Sequence, residues 1–309
     1  MSAGGATWSP SRDLEIVAGT PPGGGLDRAA RALVKAIEVN KLASVPVRVV
    51  NVPGDGARAA WKHIDKYAGD AHVVSISSPN LTTDKLVGLA KFDQRDYSPL
   101  SILYTEYIAF IAKPDSPVAS AKAFLNALST APGKLTISLS TTLGNPNHIA
   151  VAQVAVAAKA DPMTPVIRTF DTALDVIADV IVGNADVGAV TVASVVKEQT
   201  AGNIKTFAIS SPERLEGMFA DSPTWLEFDV DCIIGAWRGV TGPKGLDEAQ
   251  KQYWRELMQK ATATSTWTDE LAAHHWAEMY VDGEALERDL ERERNEYTAQ
   301  LTSLGLIKN

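Results

Sequence analysis

Short apolar runs alternate with amphipathic stretches in the first part of the chain. The runs at residues 14–18, 45–50 and 73–77 predict buried strands, each followed by a turn rich in small or polar residues. Apolar residues at helical spacing predict a helix over residues 27–40 and a second helix that ends near Ala68. This order of elements predicts an α/β fold with a parallel sheet and helices on both faces.

The middle of the chain repeats this order. Predicted strands lie at residues 107–112, 136–139, 165–168, 186–190 and 206–210, and predicted helices at residues 120–129, after residue 146 and at residues 172–182. The tail, residues 247–304, has a helical pattern. Because the two halves share one order of elements, we expect two similar lobes. In such lobes the ligand loops lie at the carboxyl ends of the strands.

Composition narrows the class of protein. The chain has 309 residues, a net charge of −8 at pH 7 and one cysteine, Cys232. We expect no nucleic-acid partner, because the chain has no Lys/Arg block with interleaved aromatics. An anionic ligand is still compatible, since a few amides and one or two cations set the local field. No apolar stretch reaches the roughly 20 residues that span a bilayer.

The sharpest local motif follows the first predicted strand and comprises Pro22, Gly23, Gly24, Gly25, Leu26 and Asp27. Glycines let backbone amides approach a ligand, and amides at a helix N-terminus attract an anion. The alternative is an ordinary turn in which Asp27 caps the helix or ties the loop, and the motif alone does not decide between the two. Nucleotide motifs do not fit, because Arg28 stands where the dinucleotide fingerprint needs its third glycine.

A second polar loop precedes the long helix in the middle of the chain. Its hydroxyls, amide and imidazole, from Thr141, Thr142, Asn145 and His148, form a candidate surface for a carboxylate. The alternative is a polar connection in which Asn147 caps the helix.

Two further loops follow predicted strands: Ser77, Ser78 and Asn80 after one, and Arg168, Phe170 and Asp171 after another. The first set is equally consistent with a plain turn. Arg168 could pair with a ligand carboxylate in a bidentate manner, or form a structural ion pair with Asp171 or Asp175.

The motifs expected of an enzyme are missing. The five histidines show no metal-binding spacing, and no Gly-x-Ser-x-Gly elbow occurs. The sequence around Cys232 is typical of a buried strand rather than of a nucleophile. We therefore expect no catalytic residue, no metal and no cofactor.

Several segments, in this order and spacing, resemble the Bug family, the solute-binding receptors of tripartite tricarboxylate transporters. They are residues 16–31, 49–56, 97–103, 132–135, 183–186 and 304–307, and the resemblance covers the chain from about residue 13. The segment at residues 169–171 departs from the family's usual Tyr-Lys-Gly, which leaves the ligand open.

The resemblance implies a two-lobe periplasmic binding protein of type II, a Venus flytrap with its ligand in the interlobe cleft. Lobe 1 would comprise residues 1–104 and 233–309, and lobe 2 residues 105–232. The implied function is capture of a small organic carboxylate by a monomer that delivers it to a membrane permease. The first ten residues contain no export signal, so the implied periplasmic location supposes a signal already removed.

The resemblance also implies which residues hold the ligand. One carboxylate would lie between the loop of Pro22, Gly23, Gly24, Gly25 and Asp27 and the loop of Thr141, Thr142, Asn145 and His148. The family's third loop corresponds to Ser77, Ser78 and Asn80. Two other functions stay open: an enzyme on a similar two-lobe scaffold that acts on a carboxylate substrate, and a ligand-sensing module.

Overall fold

A computed structural model describes residues 7–307 and contains eleven strands and ten α-helices within that range. The described chain forms two compact units. The first unit comprises the chain up to Lys85, Ala90–Thr105 and Trp237–Arg294, and the second comprises Leu86–Leu89, Glu106–Ala236 and the chain from Asn295. The bounds of these units differ from those of the lobes that the resemblance implied at residues 86–89, 105, 233–236 and 295–307. The first six residues, to which part of the export-signal expectation applied, lie outside the described range.

The first unit is built around a six-stranded sheet in the order β11-β4-β10-β3-β1-β2. Its strands are β1 Leu14–Ala18, β2 Val47–Asn51, β3 Val73–Ser77, β4 Ser98–Thr105, β10 Arg238–Gly242 and β11 Ala277–Asp282. Its helices are α1 Gly25–Val39, α2 Arg58–Ile64, α3 Asn80–Leu86, α8 Glu248–Thr262, α9 Ser265–His274 and α10 Gly283–Ser303, and the last residues of α3 and α10 belong to the second unit.

Apolar burial explains how α1 packs in the first unit. Leu26, Ala29, Leu33, Ala36 and Ile37 recur at helical spacing and are all buried. Such an apolar stripe stabilises a helix mainly through packing rather than through intrinsic propensity. The packing fixes α1, and so fixes the loop that leads into it from β1.

The second unit is built around a five-stranded sheet in the order β7-β6-β8-β5-β9. Its strands are β5 Ile108–Ala112, β6 Thr136–Ser140, β7 Val166–Phe170, β8 Val187–Thr191 and β9 Lys205–Ile209. Its helices are α4 Ala121–Thr130, α5 Pro146–Ala157, α6 Ala173–Ile181 and α7 Val192–Thr200. Aromatic side chains fill its core, where the rings of Phe110 and Trp225 meet edge to face with centroids 4.9 Å apart.

The α/β fold is confirmed, but both sheets are mixed rather than parallel. β10 runs antiparallel to β3 and β4, and β5 runs antiparallel to β8 and β9. The helical tail was also wrong in part, because β11 interrupts it and adds an edge strand to the first sheet.

Cys232 is fully buried, as expected, but it lies in an irregular segment rather than in a strand. Burial raises the pKa of its thiol, so the sulfur stays protonated. Among the helices of residues 7–307, we find none with the length and apolar character needed to cross a membrane.

We predict that Gly239→Ala destabilises the first unit by about 1–3 kcal/mol. β10 lies between β3 and β4, and a Cβ at Gly239 would clash with the backbone carbonyl oxygen of Ser101 on β4. The measurement is the free energy of unfolding by urea titration. Gly133→Ala is the matched control, because its Cβ would meet Thr164 at an ordinary 3.5 Å. Equal effects of the two substitutions would contradict the prediction.

Candidate functional site

The loop between β1 and α1 carries the glycine motif and is held from within by Thr20. The Thr20 hydroxyl accepts a hydrogen bond from the backbone N–H of Asp27 (3.1 Å), and the side chain of Asn51 donates to the Thr20 carbonyl oxygen (2.9 Å). A Cβ at Gly24 would lie 2.5 Å from the Cβ of Thr20, so only glycine fits there. The loop thus folds back over Thr20 before α1 begins.

Asp27 is the centre of this loop. Its carboxylate accepts from the backbone N–H of Gly23 (2.7 Å), from Nδ2 of Asn51 (2.8 Å) and from Nε of Arg31 (2.9 and 3.0 Å). Burial disfavours the charged carboxylate, but the hydrogen bonds from Arg31, Asn51 and Gly23 outweigh it and lower the pKa of Asp27. Asp27 was predicted to bind the ligand, and in the structure its carboxylate ties the loop to α1 and β2.

Two N–H groups in the first turn of α1 have no acceptor among the described residues. The N–H of Gly24 donates to the carbonyl of Pro21 (2.9 Å), and that of Asp27 is bound by Thr20. Within residues 7–307, the N–H groups of Gly25 and Leu26 have no protein acceptor. Two adjacent open donors at a helix N-terminus form a binding place for an anion.

Two guanidinium groups lie beside these donors. A Cβ at Gly25 would be 3.7 Å from Nη2 of Arg238 and 4.0 Å from Nη2 of Arg28. Arg28 also donates from Nη1 to the carbonyl of Gly23 (2.7 Å). The N-terminus of α1 therefore combines amide donors with two positive charges, one from α1 itself and one from β10.

The sheet brings the third predicted loop to the same edge of the first unit. Ser77 ends β3, which pairs with β1, and its Oγ accepts from the hydroxyl of Thr241 on β10 (2.9 Å). Ser78 and Asn80 follow directly, and all three predicted side chains are buried. The structure thus groups the glycine loop with Ser77, Ser78 and Asn80.

In the second unit, Asn145 organises the loop before α5. It is the N-cap of the helix: its Oδ1 accepts from the N–H of His148 (3.0 Å). Its Nδ2 donates to the carbonyl of Ser140 (2.6 Å) and to the hydroxyl of Thr141 (2.9 Å). The cap is Asn145 and not Asn147, because Pro146 occupies the first helical position.

His148 faces the interior of this loop. Its Nδ1 accepts from the N–H of Gly144 (2.9 Å), which leaves the ring proton on Nε2. Burial lowers the pKa of His148 to about 4. The imidazole is therefore neutral near pH 7 and offers hydrogen bonding, not charge.

Asn147 carries an open acceptor in the same helical turn. Its Nδ2 donates to the carbonyl (2.8 Å) and the hydroxyl (2.9 Å) of Ser140. Its Oδ1 is buried and has no donor among the described residues. The first turn of α5 therefore contains a buried polar atom with no donor in the part of the chain that the structure describes.

Arg168 forms an ion pair with Asp179 on α6. Its Nε lies 2.9 Å from Oδ2 of Asp179, and the hydroxyl of Ser138 also donates to that oxygen (2.6 Å). The structural ion pair is observed, although with a different partner from the two that the sequence suggested. Phe170 pairs in register with Ser140, which places Phe170 and Asp171 at the sheet edge of the Thr141 loop.

The sequence did not assign a ligand-binding role to Arg28, Arg238, Asn147 or the backbone of Leu26. Leu26 contributes only a backbone N–H, so its side chain carried no signal. Arg238 is the first residue of β10, a strand that had not been recognised. Its basic side chain directly before Gly239 in a buried strand was a usable sign, since buried arginines are rare.

Two α/β units, each with polar loops gathered at the carboxyl edge of its sheet, are the architecture of a solute-binding protein. The profile of the tripartite tricarboxylate transporter family receptor, TctC, matches residues 30–306. This chain therefore belongs to the family of tripartite tricarboxylate transporter receptors, as the resemblance to the Bug family predicted.

Individual relatives agree with this assignment. Protein BugT of Bordetella pertussis is 24% identical over 247 residues, which cover 77% of this chain and 72% of BugT. A TctC solute-binding protein from Polaromonas, solved without ligand, is 25% identical to this chain with a TM-score of 0.68. The match covers 95% of this chain and 99% of the Polaromonas chain. R. palustris Rpa4515, solved with adipate, shares the fold at 17% identity with a TM-score of 0.86, over 96% of this chain and 98% of its own.

We predict that Asp27→Asn lowers the free energy of unfolding by about 1–3 kcal/mol at pH 7, because the amide places donors against the donors of Arg31 and Asn51. The pKa of Asp27 is lowered, so its stabilisation is complete above the ordinary value of 3.8 and is lost as the pH falls through the folded-state pKa. The difference between the two proteins should therefore close in acid, measured by urea unfolding from pH 7 to pH 2.

Asp13→Asn is the control, because Asp13 pairs with Arg48 at 3.1 Å with both side chains largely exposed. We expect it to change stability little at any pH. A constant difference between wild type and Asp27→Asn down to low pH would contradict the role given to the carboxylate.

We predict that His148 does not titrate between pH 5 and pH 8 in the folded protein, as followed by imidazole NMR signals assigned with His148→Gln. In the unfolded chain it takes up a proton near 6.5, and in the folded chain only near 4. Its contribution to stability is thus complete above the unfolded pKa and declines as the pH falls towards 4. A midpoint near 6.5 would show that the imidazole is solvated.

Proposed function

We propose that this receptor binds a small organic carboxylate, with one carboxylate group on the N–H donors of Gly25 and Leu26. The observation that carries the proposal is the pair of open donors at the start of α1 with two guanidinium groups beside it. Amides bind a carboxylate with charge-assisted hydrogen bonds, and the helix dipole adds to the attraction. The adipate bound by the R. palustris relative supports the same class of ligand.

The second unit carries polar groups suited to a different part of the ligand. Its polar groups are the hydroxyls of Thr141 and Thr142 and the neutral imidazole of His148, and Oδ1 of Asn147 has no donor among the described residues. Neutral groups of both kinds suit a ligand with a polar backbone as well as a carboxylate. We propose that this loop reads the uncharged polar atoms of the ligand, while the first unit reads its charge.

We further propose a non-catalytic role, in the periplasm, with delivery of the ligand to a membrane permease. Family membership supports the receptor role and the permease partner. The side chains that an enzyme would use are held in unreactive forms: the Cys232 thiol is buried and protonated, and the Arg168 charge is bound to Asp179. These contacts favour binding over the alternative of catalysis on a carboxylate substrate.

The test removes one N–H donor with little change to the fold. Proline suits the first position of a helix, and Gly24 has φ −72° and ψ 167°, a conformation that a residue before proline adopts. We therefore predict that Gly25→Pro folds but binds carboxylates about 10–100-fold more weakly than Gly25→Ala. Gly25→Ala is the matched control, because it adds a Cβ and keeps the N–H.

The measurement is isothermal titration calorimetry with the best acids from a thermal-shift screen of organic acids and their amides, adipate included. A ligand that binds the folded state raises the melting temperature by mass action. If no acid shifts the wild-type protein, the carboxylate proposal fails. If acids bind equally well to Gly25→Pro and Gly25→Ala, the ligand lies elsewhere and the role of the α1 donors is refuted.

A further inference from the structure

Arg238 is placed at the binding edge of the first unit by the pairing of β10. Gly239 pairs with Ser77 in the antiparallel ladder between β10 and β3, so β10 starts at the edge where β3 ends. β1 is the next strand, and its carboxyl end leads into the glycine loop. The start of this antiparallel strand thus places the side chain of Arg238 at the edge where the parallel strands β1, β2 and β3 end.

The guanidinium of Arg238 is buried and oriented. The residue is 8% exposed, and its Nη1 donates to the carbonyl oxygen of Trp237 (3.0 Å). Its Nη2 approaches to 3.7 Å from the Cβ position of Gly25. The backbone of β10 cannot shift easily, because Gly239 packs against the backbone of Ser101. A long, flexible side chain is therefore held in one place beside the open donors of α1.

Amide donors alone discriminate poorly between a carboxylate and a neutral carbonyl group, since both accept hydrogen bonds. A guanidinium adds a full charge, and its planar fork of N–H groups matches the geometry of a carboxylate. Because it carries five N–H donors, it can bind a carboxylate in addition to its contacts within the protein. Arg28 is the weaker candidate for this task, because its side chain is less buried than that of Arg238 and its Nη2 lies farther from the Cβ position of Gly25, 4.0 Å against 3.7 Å.

We propose that Arg238 is the residue that makes the site select an ionised carboxylate over its neutral amide, by pairing with the carboxylate that the α1 donors bind. The inference rests on the proposed function and adds the residue that sets its charge selectivity. Substitutions at position 238 would change the preferred charge of the ligand while the donors of Gly25 and Leu26 are kept.

The experiment compares linear dicarboxylates of four to nine carbons with their diamides on the full chain, by isothermal titration calorimetry. We expect the wild-type protein to bind its best acid at least about tenfold more tightly than the matching diamide. Arg238→Met should weaken the acid about 10–100-fold and leave the diamide within about twofold, so that the preference collapses. Arg238→Lys should fall between, because it keeps a charge and loses the fork.

Arg48→Gln is the control, because it removes an arginine from an exposed position on β2 of the same unit. It should bind like the wild-type protein, and thermal melts without ligand report whether each variant folds. If the wild-type protein binds acid and diamide equally, the inference is overturned without any variant. If Arg238→Met folds and keeps the preference, Arg238 is not the selective residue. If no dicarboxylate binds and the wider acid screen is also negative, the proposed function fails, and the inference with it.

Discussion

The carboxylate of Asp27 is the contact on which the conformation of the loop between β1 and α1 depends. It joins the loop at Gly23, the helix at Arg31 and the second strand at Asn51, with every distance at or below 3.0 Å. A buried carboxylate is costly unless its lone pairs are satisfied, and here they are satisfied by three different elements. The consequence is a loop tied at three points, in which the N–H groups of Gly25 and Leu26 have no acceptor among residues 7–307.

The second unit reaches a similar arrangement with a neutral side chain. Asn145 joins the end of β6 to the first turn of α5 through both of its amide atoms. In both units a polar side chain that was expected to touch the ligand holds the backbone of the loop in the structure. Preorganised donors lose little entropy on binding, so side chains that fix a loop contribute to affinity without contact with the ligand.

The sequence was sufficient for the elements with strong periodicity. β1 and β3 were predicted at their observed bounds, and α1 within two residues, because apolar burial in these segments coincides with clear turn chemistry. The sequence did not predict β10 and β11. These antiparallel strands return to the sheet from a distant part of the chain, and their own residues carry no signal of the strands with which they pair. The missed residue Arg238 follows from the missed strand.

The same limit applies to the roles of individual side chains. Glycines next to an Asp predicted an anion-binding loop, and the loop was located at the correct edge of the sheet. Whether Asp27 faced inward or outward depended on Asn51, a residue of another strand, which spacing along the chain does not reveal. Arg168 illustrates the converse: it follows a strand as a ligand residue would, but Asp179 on the neighbouring helix already binds it.

The loop between β1 and α1 and the loop before α5 differ in electrostatic character, and this difference has a physical reason. At the glycine loop the dipole of α1 favours an anion, and hydrogen bonds from Arg31, Asn51 and Gly23 stabilise the nearby Asp27 carboxylate. His148 in the second loop is so buried that its charged form is disfavoured near neutral pH. If the proposed function holds, charge recognition falls to the α1 donors and the arginines beside them, while the loop before α5 contributes neutral polar groups.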